Sequence, residues 1–370
     1  MDKAAGSALA AALLLAAAAL PGQPPAPAAP QPAAPDEVTA QPSRAAEPAR
    51  RAARGLLVAI AAAGQRLVAV GDRGIIVLSD DRAASWRQAE YVPAQALLTG
   101  VCFLDGQHGV AVGHDELILT TDDAGRSWKL AHYAPQAQRP LLDVWCGAGG
   151  EVIAVGAYSA YFTSDDGGVS WREVKFIPAA SAAAHDRHAA AAARAPAAAA
   201  RSEDGAGGGY HLNRIVAAGG RRLYIAGEAG HLYASEDAGA SWRALASPYE
   251  GSFFGVLPLP GEVLLAFGLR GHLYRSADAG ASWQPIETGT VAMLTGGASL
   301  DSGAIAIVGL SGVVLVSRDG GRSFALLQQA DRSGLSALAS VGGDRLAVVG
   351  EAGARQISVG DQTGAGSTSP

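Results

Sequence analysis

A short segment of the form Ser/Thr-x-Asp-x-Gly-x-Ser-Trp recurs six times, and its spacing limits the architectures open to this chain more than any other feature. The copies run over Ser79–Trp86, Thr121–Trp128, Ser164–Trp171, Ser235–Trp242, Ser276–Trp283 and Ser317–Phe324. Their terminal aromatics, Trp86, Trp128, Trp171, Trp242, Trp283 and Phe324, are separated by 42, 43, 71, 41 and 41 positions. One supersecondary unit per period of about 40 residues is the size of a propeller blade or a solenoid repeat.

A second marker counts differently. A glycine ending an apolar run stands at Gly71, Gly113, Gly156, Gly227, Gly268, Gly309 and Gly350, which makes seven units, the last without an Asp segment. In the second unit, Leu97–Phe103, Gly109–Val112, Leu117–Thr120 and Ser127–Leu130 are short apolar runs punctuated by Gly and Asp. Such runs predict strands. Four strands per unit at this period predict an all-β, seven-bladed β-propeller with four-stranded antiparallel blades, an architecture that leaves only short sheet edges.

The Asp segment suits the turn between the third and fourth strands of a blade. A carboxylate there accepts backbone N–H groups, the glycine tolerates positive φ, and the indole anchors the outer strand. Asp81, Asp123, Asp166, Asp237, Asp278 and Asp319, with their aromatic partners, are therefore expected to fold blades. A calcium loop would need more oxygen ligands per copy. The first copy carries Ala83 where glycine belongs, so a looser turn is expected there.

With seven repeats over residues 55–359, nearly all of the 370 residues are used by one domain. The net charge of −6, with no basic stripe interleaved with aromatics, gives no case for nucleic acid. Lys3 followed by an Ala/Leu run from Ala8 to Leu20 has the outline of a secretory signal peptide, residues 1–20, and places the protein in the periplasm or outside the cell. Residues 21–54 are Pro/Ala-rich and read as a disordered linker. Arg44, Arg50, Arg51 and Arg54 at its end read as solvated side chains, with peripheral contact to an anionic membrane as the alternative. The long gap holds a low-complexity insertion, residues 179–209, and residues 360–370 read as a disordered tail. Cys102 and Cys146 fall in the innermost strands of neighbouring blades, where buried free thiols are expected and a bridge is the alternative.

Strand alternation puts the Asp turns on one face and the second-to-third turns, with the blade-to-blade connections, on the other. That second face carries Arg139, Tyr158, His211, Glu228, Tyr249, Glu250, Phe253, Phe254 and Arg270, the aromatic and charged types favoured at contact centres. A catalytic alternative would draw on two of Asp72, Asp115, Glu116, Glu228, Glu250 and Glu351 as the carboxylates of a glycoside hydrolase. Nothing in the sequence pairs them, no metal-ligand spacing stands out among the eight histidines, and no cofactor is expected.

The repeated segments resemble the Asp-box (BNR) repeats of sialidases. With seven Gly-terminated units, the chain is similar to the photosystem II stability/assembly factor family of seven-bladed propellers, in its bacterial branch. Leu141–Trp145 and Ser247–Gly255 also look like that branch. The resemblance implies a non-catalytic, monomeric scaffold that binds a membrane protein or membrane-associated complex and aids its assembly. Departures from the sialidases are the absent Arg-Ile-Pro segment and seven units where they have six blades. The alternative remains a secreted Asp-box hydrolase. Finally, the unit ending at Val359 lacks a fourth strand, and Glu37–Ala40 is the β-prone stretch expected to complete it.

Overall fold

The computed structural model describes residues 42, 44–180 and 209–360. Six four-stranded antiparallel sheets and one three-stranded sheet, each with its strands in sequence order, form the seven blades. Blade 2 runs through Leu98–Phe103, Gly109–Gly113, Ile118–Thr121 and Lys129–His132, within two residues of the strands expected from the sequence. The first strands of the other blades are Leu57–Ala63, Leu141–Cys146, Leu212–Ala217, Phe253–Leu259, Leu294–Ser299 and Leu335–Ser340. Each packs on the first strand of the next blade, and the seventh packs on the first, so the ring closes around a channel.

All seven first strands break register at the same point, where two residues oppose one on the second strand. Such a bulge bends the strand and frees one residue from the ladder. In three blades that residue reaches the next blade: Thr99 Oγ1 donates to Leu141 O at 2.6 Å, Asn213 Nδ2 to Phe253 O at 2.8 Å, and Thr295 Oγ1 to Leu335 O at 2.7 Å. The ring is thus tied at its inner rim by hydrogen bonds as well as by packing.

The core lies between blades. Second strands such as Val152–Gly156 are buried at every position, because both faces of each sheet meet a neighbour. The repeated aromatics serve these seams. Trp128 sits with Val68 and Leu78 of blade 1, Trp171 between blades 2 and 3, Trp242 between 3 and 4, Trp283 between 4 and 5, Phe324 between 5 and 6, and Trp86 between 7 and 1. Each blade's aromatic therefore wedges against the preceding blade. The seam between blades 6 and 7, which has no such aromatic, is filled by Leu346, Ile357 and Val359.

In the Asp turns one pattern recurs six times. In blade 5, Ser276 Oγ donates to Asp278 Oδ1 at 2.7 Å, Ser282 N donates to the same oxygen at 2.9 Å, and Ser282 Oγ donates to Oδ2 at 2.5 Å. Gly280 N donates to Ser276 Oγ at 2.8 Å. The first turn does not loosen as expected: Ala83 adopts φ 70°, and its N–H reaches Ser79 Oγ at 2.8 Å.

Two further expectations change, and a third falls outside the described residues. Cys102 and Cys146 are bonded to each other across the first strands of blades 2 and 3, with Cα atoms 5.7 Å apart, rather than free. Neighbouring inner strands run close enough for a bridge, and both cysteines are only half-buried. The end of the expected linker is also placed against the propeller. Ala46 N donates to Val92 O, Gln88 Nε2 to Glu47 O, and Ala52–Arg54 form a 3-10 turn packed on the last strand of blade 7. Glu37–Ala40, the expected closing strand, lies outside the described residues, as do residues 1–36, most of the 179–209 insertion and residues 361–370.

Candidate partner-binding face

The second-to-third turn of every blade is bonded to a blade-to-blade connection, which puts both on one face. Gly74 N donates to Ala96 O, Glu116 N to Arg139 O, Ser159 N to Tyr210 O, Glu228 N to His211 O, Leu269 N to Ser252 O, Leu310 N to Met293 O and Glu351 N to Gly334 O. The Asp turns are bonded to the first-to-second turns instead, as in Ala124 N to Gln107 O and Ala238 N to Arg221 O.

Five of the second-to-third turns are short 3-10 turns: Asp72–Gly74, His114–Glu116, Ala157–Ser159, Leu269–Gly271 and Leu310–Gly312. Their central residues are left-handed, at φ 51° for Arg73, 61° for Asp115, 54° for Tyr158, 56° for Arg270 and 58° for Ser311. An L-residue in that region costs about 1–2 kcal/mol. Four of these positions present Arg73, Asp115, Tyr158 and Arg270, residues with large or charged side chains, in a conformation that glycine would adopt freely. Backbone outliers of this kind are a recurrent mark of functional surfaces.

Blades 3 to 5 gather most of the residues singled out in the sequence. Tyr158, 59% exposed, meets the His211 ring edge-on with centroids 5.2 Å apart, and His211 N donates to Glu228 Oε2 at 3.2 Å. One blade on, Tyr249 lies over His272 at 4.3 Å and against the buried Phe253 at 5.8 Å. Tyr249 can sit there because Gly230, at φ 79°, has no Cβ to strike its carbonyl. Phe254 is the half-buried bulge residue of blade 5, and Glu250 and Arg270 are exposed. Arg139 stands apart: it bridges Glu116 at 2.5 Å and Glu173 at 2.9 Å, which raises its pKa through the Glu173 hydrogen bond first, and it thereby joins blades 2 and 3.

The structure adds residues to this face. Tyr210 lies over His231 at 4.2 Å, and His231 in turn lies against Tyr233. With Tyr249, His272 and Tyr274 this makes two equivalent tyrosine–histidine–tyrosine piles in adjacent blades. The signal was present in the sequence as a repeated Gly-His-Leu-Tyr, at residues 230–233 and 271–274. At the channel mouth, the residue after the bulge is Ala59, Gly100, Gly255, Gly296 or Ala337 in five blades, but Asp143 and Arg214 in blades 3 and 4. Asp143 is buried, accepts Ile215 N–H at 3.0 Å and faces Arg214 at 3.7 Å. Burial raises its pKa, and the Arg214 charge opposes that rise. The small residues in the other blades leave Arg214 room to reach Thr295 O of blade 6 at 3.4 Å.

Of the carboxylates available to a hydrolase, Glu116 is held by Arg139 and His132, Glu351 accepts Gly334 N–H, and Asp72 pairs with Arg73. Among the described residues no group of three His, Cys, Asp or Glu side chains could hold a metal ion.

Fold and turns together define a seven-bladed β-propeller with Asp turns on one face and a face rich in aromatic and charged residues opposite. Residues 78–184 match the family described as photosynthesis system II assembly factor YCF48, so the resemblance drawn from the repeats is borne out. A solved structure described as YCF48 bound to D1 peptide superposes with a TM-score of 0.62 at 15% identity, covering 87% of this chain and 100% of that one. The WD40 propeller of Doa1 gives 0.59 at 11% identity, over 87% of this chain and 98% of that one. The GH74 xyloglucanase of Xanthomonas campestris gives 0.59 at 18% identity, over 82% of this chain and 52% of that enzyme. No curated protein matches the chain.

Proposed function

We propose that this chain is an exported, non-catalytic scaffold that binds a segment of a membrane protein or membrane-associated complex on its connection face and assists that partner's assembly or stability. The observation that carries the reading is the surface of blades 3 to 5. There Tyr158, Tyr210 and Tyr249, each packed on a histidine, share the connection face with Glu228, Glu250 and Arg270. Tyrosine gives large contact area at small entropic cost, and charged neighbours set register and orientation. The match to the YCF48 family supports a binding role, and the propeller described as YCF48 bound to D1 peptide is a precedent for this fold holding a peptide.

Export is supported by the basic-then-apolar start of the chain and by the Cys102–Cys146 bridge, since structural disulfides persist in oxidising compartments. The protein acts as a monomer, without a cofactor. The test is recovery of integral membrane proteins from a detergent extract on immobilised protein. Tyr158→Ala/Tyr249→Ala loses bands that the wild type retains, while a Ser282→Ala control on the opposite face keeps them. Equal recovery by all three proteins contradicts the reading.

A further inference from the structure

The backbone that carries the arginines at the end of the expected linker is placed against the propeller, while their side chains face solvent. Residues 49–54 fold back over blade 1 and, with Trp86, Arg87 and Gln88, line a solvent-open concavity of about 510 Å³. Arg50, Arg51 and Arg54 are exposed, and none of them has an ion-pair partner among the described residues. Arg87 is shared with Asp80 at 3.1 Å.

Beside this basic hollow lies an incomplete sheet. The last described strand of blade 7, Gly353–Ser358, pairs on one side with Arg345–Gly350 and has no strand on the other among the described residues. Counting outward from the Gly350–Gly353 pair, alternate residues Ala354, Gln356 and Ser358 turn their N–H and C=O groups to the open side. The hollow and the edge are contiguous: Ala52, Ala53, Trp86 and Ala354 share one apolar cluster, and the backbone of Ala53 and Arg54 lies against Gly353.

We infer that this seam is a second docking site, distinct from the surface of blades 3 to 5, that takes as the fourth strand of blade 7 an extended acidic segment of a partner protein rather than Glu37–Ala40, since Ala46 is bonded to Val92 in the blade 1–2 connection and Ala49 to Gln88 of blade 1. The open edge supplies backbone hydrogen bonds, and Arg50, Arg51 and Arg54 supply charge complementary to acidic side chains. A lipid headgroup would use the arginines but not the strand edge, so both features together favour a peptide.

The experiment is fluorescence anisotropy of full-length protein with labelled Glu-Thr-Glu-Val-Glu-Thr-Glu, with the same peptide carrying Lys for Glu, and with phosphatidylglycerol vesicles. The acidic peptide binds in a salt-sensitive manner, and Arg50→Glu/Arg54→Glu weakens it at least about tenfold. Gln356→Pro, which removes one outward N–H, also weakens it, while Tyr158→Ala on the connection face leaves it unchanged. A melting curve shows whether each variant is folded; if Gln356→Pro is not, the arginine variant decides alone. No acidic-peptide binding, equal binding of the Lys peptide, or arginine-dependent binding of vesicles without peptide binding would overturn the inference. Loss of connection-face partners in the Tyr158/Tyr249 variant does not bear on it, so the two readings fail separately.

Discussion

At the scale of single residues, the Asp turns are small electrostatic devices. Hydrogen bonds from Ser85 hold the Asp81 carboxyl down to about 2, and those from Ser282 and Ser323 lower Asp278 and Asp319. At Asp123, Asp166 and Asp237 burial works against ionisation, and the serine hydrogen bonds outweigh it. A carboxyl whose folded pKa is lowered adds stability that is present above its unfolded pKa and is lost as pH falls through the folded value. With six such groups, the melting temperature should hold at neutral pH and drop steeply between about pH 4 and pH 2. A flat profile over that window would mean that the carboxylates do little for folding. Asp143, whose pKa burial raises, works in the opposite sense and weakens as a stabilising group as pH rises. Ala83 shows how one residue can break a motif without breaking the turn. Glycine there would relieve a left-handed strain of about 1–2 kcal/mol. It would also lose a buried methyl worth about 0.8 kcal/mol and add about 0.5–1 kcal/mol of chain entropy. Ala83→Gly should therefore shift the melting temperature by no more than a few degrees.

At the scale of elements, the six Asp turns and seven blades are reconciled by which seam each aromatic serves. The blade without a turn leaves the 6–7 seam to Leu346, Ile357 and Val359, and leaves the outer edge of Gly353–Ser358 open among the described residues. Strand positions were legible because apolar runs and Gly/Asp punctuation follow directly from burial on both faces of each blade. The disulfide was not, because two cysteines 44 positions apart in an apolar run look alike whether bridged or free. Closing a loop of that size is worth roughly 4 kcal/mol in the chain-entropy picture. Cys102→Ser/Cys146→Ser should lower stability by about 2–4 kcal/mol in denaturant titrations. Intact mass after alkylation without reductant should show no label on the wild type, and two labels would remove the bridge. The docking of the linker's last residues was hidden for a different reason: composition marks a Pro/Ala-rich stretch as solvated, whereas hydrogen bonds to Val92 and Gln88 anchor its backbone.

At the scale of the whole molecule, the two faces are separable in the sequence, since strand alternation fixes which turns share a side. It marks Tyr158, His211, Glu228 and Tyr249 as face residues, and the structure brings the first three together. What it does not disclose is pairing across the ring. Asp143 and Arg214 are 71 positions apart in the sequence and meet only because blades 3 and 4 place them at the same depth of the channel. It also does not separate Arg139, committed to Glu116 and Glu173, from Arg270, which is exposed. The central claim is that a partner binds the connection face of blades 3 to 5. Its most direct test replaces single residues with a photo-crosslinking amino acid in cells that make the protein, at Tyr158 and Tyr249 on that face and at Ser282 among the Asp turns. The account predicts ultraviolet-dependent adducts with the same membrane protein from Tyr158 and Tyr249 and none from Ser282. Adducts of equal yield from Ser282, or none from either tyrosine position, would contradict it.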